Sequence, residues 1–371
     1  MILQHLELTN FRNYEHIDIV FGSHKNFLIG RNAQGKTNIL EAIYKLCLSK
    51  SFRTNFDKEE IRFTQDHYIL KGRFESDGGN SNEVGIYYSL QRGKEIIINH
   101  KAKSKASDLI GNFPVVLSSP DENAITSGPP IYRRKFIDIL LCQLNKNYLF
   151  NLLNYNRILQ QRNKLLLDCK ISKEFRPSII EPWNQNLIET GSRIIAYRYH
   201  FCSQFSNRLN QIYSELSGPE EELTFEYCPN FLIAPKKEIE SIFKQKLMEV
   251  RNHEISRGVS IVGPHLDNFE IKINGKEIRK YGSRGQHKTV AISLALAQFE
   301  ILKEQLSETP IMLLDDLYSE IDEIRRAKIL DILSRVKQVF ITATLLPESS
   351  KICDNDRVFI IADGNVKLIS N

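Results

Sequence analysis

One octapeptide limits this chain more than any other feature. Gly30-Arg31-Asn32-Ala33-Gln34-Gly35-Lys36-Thr37 fits G-x-x-x-x-G-K-[ST], the phosphate-binding loop. Its glycines let the backbone wrap so that successive N–H groups face an anion. The helix that follows presents its positive end to the same anion. Such a loop needs a buried strand before it and a helix after it, and the flanks supply both. Asn26-Phe27-Leu28-Ile29 is a short apolar run, the pattern of a buried parallel strand. Ile39, Ile43, Leu46 and Cys47 recur at helical spacing. A surface turn that merely matched the pattern would lack this setting. Gly30, Arg31, Asn32, Ala33, Gln34, Gly35 and Asn38 are therefore expected to line a nucleotide, with Lys36 on the β and γ phosphates and the Thr37 hydroxyl on Mg²⁺.

Ile311-Met312-Leu313-Leu314-Asp315-Asp316 closes a fully apolar strand with two acids. In a chain without a phosphate loop this would read as a strand ending in a polar turn. Beside one, Asp315 is placed at the carboxyl edge of the sheet, where ligands of parallel sheets collect. It is expected to hold the Mg²⁺ shell. Asp316 then orients or deprotonates the attacking water near the γ phosphate. An Asp stands further back than a Glu, so slow turnover is expected. Catalysis falls on Lys36, Asp315 and Asp316.

Tyr281-Gly282-Ser283-Arg284-Gly285-Gln286 leads into a helix from Lys288. A serine and glycines at a helix start make a second anion site, although Ser is also a common cap. One chain does not need two γ-phosphate sites. The economical reading is that this segment serves the nucleotide of a second copy, with two nucleotides sandwiched head to tail in a twofold dimer.

Around these elements the pattern changes along the chain. Leu6, Leu8, Ile17, Ile19 and Phe21 alternate with polar residues, and Tyr68 to Ile98 returns to period two with turns at Asp77–Asn80 and Gln91–Gly93. An antiparallel sheet beside the parallel one is expected. From Ile137 to Leu166, and again from Ile194 to Leu216, apolar residues recur in threes and fours. Two long helices joined near Asp168–Pro177 form a hairpin, which either packs as a bundle or projects as an arm. After Pro235 come a helix around Ile239–Val250, a strand–turn–strand with Asn274-Gly275 at its tip, and strands alternating with helices to Ile361. The fold class is α/β: a phosphate-loop head with mixed parallel sheet and antiparallel β subdomain over 1–120 and 236–371, and an inserted helical lobe over 121–235.

The 371 residues suit about two domains. Lys and Arg number 50 against 45 acids, a net charge of +5 that permits an anionic partner without demanding one. Six scattered cysteines argue against a zinc knuckle or disulfide framework and for a reducing compartment. No signal peptide and no apolar run of about 20 residues is visible, so a cytoplasmic protein is expected.

The phosphate loop, the signature-like helix after a long helical insertion, and the acid-ended strand together resemble the ABC-type ATPase head of the SMC family. Leu8-Thr9-Asn10-Phe11-Arg12-Asn13-Tyr14, Ser51-Phe52-Arg53-Thr54, Gly128-Pro129-Pro130 with Arg133-Arg134, Gly263-Pro264-His265 with Asp267, and Leu314-Asp315-Asp316 with Ser319-Glu320-Ile321-Asp322 narrow this to a resemblance to the RecF family of bacterial recombination mediators. The resemblance implies an ATP- and Mg²⁺-dependent, slowly hydrolysing, DNA-stimulated ATPase. Such a protein dimerises on ATP, binds duplex DNA and gapped junctions, and works with RecO and RecR to load recombinase at single-strand gaps in DNA repair, replication and the SOS response. By position it implies Ser283, Gly285 and Gln286 as signature contacts in trans, Ser319 and Asp322 as the loop linking the two sites, Arg12 against the phosphates, and Pro120-Asp121 as the coupling loop. This chain departs from the family with Lys288 for an Arg, Leu266 and Asn268 for an Arg and an Asp, and Thr342 and Thr344 where many ABC heads carry a switch His.

Candidate DNA contacts are Arg53, Lys101, Lys103, Lys105, Arg133, Arg134 and Lys135, any one of which could equally belong to a solvated basic face. The alternative function is the ATPase subunit of a membrane transporter, which the long helical insertion and the Asn10-Phe11-Arg12 turn disfavour. A nuclease with such a head would need an appended acid-rich metal domain, for which the chain leaves no room after its last strands.

Overall fold

The computed structural model describes residues 1–103, 105–119, 123–174, 177–231, 239–316, 323–346 and 353–370. Pro120-Asp121, Ser319 and Asp322 lie outside the described residues. The chain divides into two compact units, Met1–Asn123 with Glu215–Ser217 and Lys288–Asn371, and Ala124–Ser214 with Gly218–His287.

In the first unit, β1 (Ile2–Phe11), β2 (Tyr14–Val20), β3 (Lys25–Ile29) and α1 (Lys36–Leu48) come first. Then follow β4 (His67–Glu75), β5 (Ser81–Ser89), β6 (Gly93–Ile98), β7 (Lys101–Lys103) and β8 (Val115–Ser118). One sheet is antiparallel, in the order β2-β1-β4-β5-β6-β7. The expected wet and dry faces are there: Leu6, Leu8 and Ile17 are buried while their neighbours reach solvent.

In the second unit, α2 (Asn123–Ser127) and α3 (Pro130–Leu144) lead into α4 (Lys146–Ser172) and α5 (Pro177–Ser217). Next come β9 (Leu223–Cys228), α6 (Ile239–Arg257), β10 (Asn268–Ile273), β11 (Lys276–Glu277) and α7 (Ile278–Tyr281). The long apolar run read from Ile137 to Leu166 is two helices, because Asn145 breaks it. The Asn145 side chain accepts from the N–H groups of Asn147 and Tyr148 and caps α4. α5 begins at Pro177, well before the periodic stretch from Ile194, and carries Pro182 inside its first turns. α4 packs on α6, and Arg162 joins the buried Glu254 at 2.5 Å, so the hairpin is built into a bundle.

Residues 239–287, placed with the head by sequence, pack in the second unit. β10 pairs with β9 from Asn268↔Cys228 to Ile273↔Leu223. Arg198 of α5 is 2% exposed and holds Asp267 at 2.9 Å, Asp138 at 2.8 Å and the Pro264 carbonyl at 2.7 Å.

The remaining elements are α8 (Arg284–Gln305), β12 (Ile311–Leu314), α9 (Glu323–Leu333), β13 (Val339–Ala343), β14 (Arg357–Ala362) and β15 (Asn365–Ser370). With β3 and β8 they complete the second sheet of the first unit, in the order β15-β14-β3-β13-β12-β8. All pairs in it are parallel except β14–β15. β8, β12 and β13 are buried at every position, as strands covered on both faces must be. α1 lies against β4 and β5 of the antiparallel sheet and against β8 and β13 of the parallel one. The spacing of Ile39, Ile43, Leu46 and Cys47 describes only one of its faces, because Ile39–Leu48 is buried all round. Its two polar interior residues are each paired, Glu41 with Arg12 and Lys45 with Asp57 and Glu60.

Candidate nucleotide-binding site

The loop between β3 and α1 is pinned at both ends. The Gly30 N–H donates to Ala343 of β13 at 3.2 Å, and the Ile361 carbonyl stands 2.3 Å from where a Cβ on Gly30 would sit. Gly35 caps α1 at φ 113°, and a side chain there would meet the Tyr14 hydroxyl and Asn13. Ala33 also has positive φ, at 65°. The β1–β2 turn braces the loop: Tyr14 Oη donates to the Gly35 carbonyl at 3.0 Å, Asn13 Nδ2 to the Gln34 carbonyl at 3.0 Å, and Asn38 Nδ2 to Asn13 Oδ1 at 2.7 Å. On the other side the Asp363 N–H donates to Gln34 Oε1 at 2.6 Å. Arg31, Asn32 and Ala33 form the exposed tip.

Lys36 Nζ donates to the carbonyls of Gly30 at 2.5 Å and Arg31 at 2.8 Å, which folds the ammonium over the loop it serves. Burial pushes its pKa down, against the pull of Asp315 and Asp316. Thr37, the next residue, reaches β12: its hydroxyl lies 3.0 and 2.9 Å from the two carboxylate oxygens of Asp315.

β3 and β12 are not neighbours. β13 runs between them, and its Thr342 completes the cluster. Thr342 Oγ1 donates to Asp315 Oδ1 at 2.6 Å and accepts from the Asp316 N–H at 2.8 Å. Burial pushes the Asp315 carboxyl above its ordinary range, Thr342, Thr37 and Lys36 pull the other way, and Asp316 adds to the rise. Asp316 sits at φ 51°. Sequence reasoning noted Thr342 only as a replacement for a switch His. Its spacing three residues into a buried strand was the available signal, but the strand order that brings it to Asp315 was not readable.

Arg12 is spent elsewhere than on the loop. Its guanidinium is bidentate to the buried Glu41 of α1, Nε to Oε2 at 2.9 Å and Nη2 to Oε1 at 2.5 Å, with a third bond to the Glu59 carbonyl at 2.8 Å. Arg53, read as a DNA contact, lies beyond α1 and reaches back to it: Nη1 donates to Asn38 Oδ1 at 2.8 Å and stands 3.5 Å from Glu41. It keeps 42% of its surface exposed.

Of the other basic candidates, Arg133 corrects the sequence reading. It is 3% exposed, and its guanidinium is used on the Ile125 and Gly128 carbonyls and on Asn268, which makes it an internal brace. Arg134 is half-buried on the Asp267 carbonyl at 2.7 Å. Lys101, Lys105 and Lys135 are exposed, and Lys103 ends the edge strand β7.

At the start of α8 the signature segment forms the cap that its serine allowed. Ser283 and Gln286 form a reciprocal capping box, Gln286 N–H to Ser283 Oγ at 3.2 Å and Ser283 N–H to Gln286 Oε1 at 2.9 Å. α8 therefore begins at Arg284, a turn before the expected Lys288. Ser283 remains exposed in front of it.

The donors of the loop suit a triphosphate, and the Thr37 hydroxyl with the Asp315 carboxylate suits Mg²⁺, a hard ion that takes one or two protein oxygens and the rest from phosphate and water. Known proteins resemble this chain over nearly its whole length. The model of the RecF/RecN/SMC N terminal domain matches residues 2–365. The DNA replication and repair protein RecF of Agathobacter rectalis is 39% identical over 100% of this chain and 99% of its own length, and that of Exiguobacterium sp. 37% identical over 99% of each. The structure of the recombination mediator protein RecF-ATP in the RecFOR pathway is 31% identical with a TM-score of 0.92, over 100% of this chain and 98% of that one. An Smc head bound to a domain of ScpA, 14% identical with a TM-score of 0.58 over 100% of this chain and 97% of that one, shares the fold alone. The chain belongs to the RecF/RecN/SMC N-terminal domain family and, within it, to the RecF proteins of DNA replication and repair.

Proposed function

We propose that this chain is an ATP-dependent recombination mediator whose two copies close on ATP. The pair binds duplex DNA and single-strand/double-strand junctions at gaps, slow DNA-stimulated hydrolysis releases it, and with RecO and RecR it helps load recombinase onto single-stranded DNA. The observation that carries the reading is the meeting of Thr37 and Asp315 across three parallel strands, within 3.0 Å.

Lys36 and the loop N–H groups hold the β and γ phosphates, and the Gly30 and Arg31 carbonyls keep the Lys36 ammonium in place until phosphate oxygens take it over. Thr37 and Asp315 would hold Mg²⁺, which neutralises charge developing on the transferred phosphoryl group. Thr342 orients Asp315 and fixes the backbone of Asp316, the proposed partner of the attacking water. Ser283, Gly285 and Gln286 would close the site of the second copy, with Ser319 and Asp322 linking the two. DNA contact falls to exposed cations such as Arg53, Lys101, Lys105 and Lys135, with Arg134 at the margin. Among the described residues no helix is long and apolar enough to cross a membrane, and a cytoplasmic, nucleoid-associated location fits the reading.

The test is molecular mass in solution with and without ATP, on wild type, Lys36→Ala and Ser283→Arg. Doubling in wild type alone supports the reading, and a monomer under every condition overturns it. Duplex affinity should also fall steeply with salt, as phosphate contacts require.

A further inference from the structure

The side-chain amide of Gln286 is held in one orientation from two sides, by the Ser283 N–H within the signature and by a carboxylate outside it. Gln286 Nε2 donates to Glu221 Oε1 at 2.7 Å, and the other oxygen of Glu221 takes the Tyr213 hydroxyl at 2.5 Å. A carboxylate only accepts hydrogen bonds. Gln286 must therefore turn Nε2 toward Glu221, which leaves Oε1 facing the Ser283 N–H at 2.9 Å. With the amide reversed, an NH₂ would meet that N–H and a carbonyl would meet the carboxylate, two repulsive contacts.

The consequence reaches Ser283. Its Oγ accepts from the Gln286 N–H, so the hydroxyl hydrogen is what Ser283 offers to an anion in front of α8. Tyr213 is fully buried near the end of α5, and Glu221 lies on the turn between α5 and β9. A continuous ladder, Tyr213 to Glu221 to Gln286 to Ser283, thus runs from a core side chain to an exposed hydroxyl. Nothing in the capping box requires a carboxylate at 221, and a negative charge near an anion site opposes the anion.

We propose that Glu221 is a positioning residue for the nucleotide of the second copy, acting through Gln286 and Ser283. The inference rests on the reading that Ser283 closes that site in trans. A group of this kind acts only when the second copy docks. Removing it leaves ATP affinity of the single protomer unchanged and weakens ATP-driven pairing and turnover.

The experiment uses the full chain as Glu221→Ala, Glu221→Gln and Ser283→Arg. Three quantities are read: ATP affinity at protein concentrations below pairing, mass with ATP, and kcat with duplex DNA. Glu221→Ala should lower kcat about five- to tenfold, the scale of one lost orienting hydrogen bond, with protomer ATP affinity unchanged. Glu221→Gln should largely restore kcat, since a glutamine can accept from Gln286 and donate to the Tyr213 oxygen. If Glu221→Ala turns over like wild type while Ser283→Arg fails to pair, the positioning role falls and the trans reading stands. If Ser283→Arg still doubles its mass with ATP, the trans reading itself falls. If Glu221→Ala also loses protomer ATP affinity, Glu221 is a general folding residue and the proposal is overturned.

Discussion

Thr342 Oγ1 lies 2.6 Å from Asp315 Oδ1 and, as an acceptor, 2.8 Å from the Asp316 nitrogen, so one hydroxyl on β13 sets both acids that close β12. Val in its place keeps the shape and removes both bonds. Thr342→Val should cost about 1–2 kcal/mol of stability and lower ATP turnover by about tenfold. ATP binding through Lys36 should survive. Urea unfolding and steady-state phosphate release check the two halves, and unaltered turnover would remove Thr342 from the site.

Asp315 carries a cost in stability. Burial raises its carboxyl above the ordinary 3.8, so the folded chain holds that proton to higher pH than the unfolded chain does. The unfolded state then binds fewer protons in that window, and stability falls as pH rises from 3.8 through the folded value. At neutral pH the ionised group is a net burden. Asp315→Asn should raise Tm by about 1–3 °C while Mg²⁺-dependent turnover is lost. A lowered Tm by calorimetry would contradict this.

His265 works in the opposite sense. Burial, with Arg134, Arg162 and Arg198 around it, pushes its pKa down to about 4, and Tyr155 Oη sits 2.7 Å from Nδ1. Between pH 6.5 and 4 the unfolded chain binds the extra proton and the folded chain does not. Stability should therefore drop as pH falls through that window, by roughly 3 kcal/mol in all. Chemical denaturation at stepped pH reads the slope, and His265→Gln should flatten it.

Arg198 anchors the second unit through Asp267, Asp138 and the Pro264 carbonyl. Truncating it strands a fully buried carboxylate. Arg198→Ala should cost about 3–5 kcal/mol, and Asp267→Asn distinctly less, since the amide still accepts from the guanidinium. Unfolding midpoints of the two variants, compared directly, decide it.

How much could be read without the fold differs from element to element. The phosphate loop needs only local chemistry, a strand, two glycines, a lysine and a hydroxyl between Lys25 and Thr37, and β3, the loop and α1 lie where that chemistry demanded. The acid-ended strand was equally plain, because four apolar residues followed by two acids admit few other readings. The break at Asn145 escaped because a cap acts through one side chain while the apolar period continues across it. Arg133 went astray for another reason: a cation's sequence context does not say whether a carbonyl or a carboxamide waits beside it.

Residue order along the chain was thus sufficient for the loop and for the terminal acids, whose chemistry is carried by adjacent residues. The chain could not tell which distant groups would meet. That β13 slots between β3 and β12, that Thr342 reaches Asp315, and that Glu221 reaches Gln286 are outcomes of strand order and helix packing, with partners 27 and 65 residues apart. Those contacts depend on burying the apolar faces within each compact unit, and no local window of sequence contains that sum.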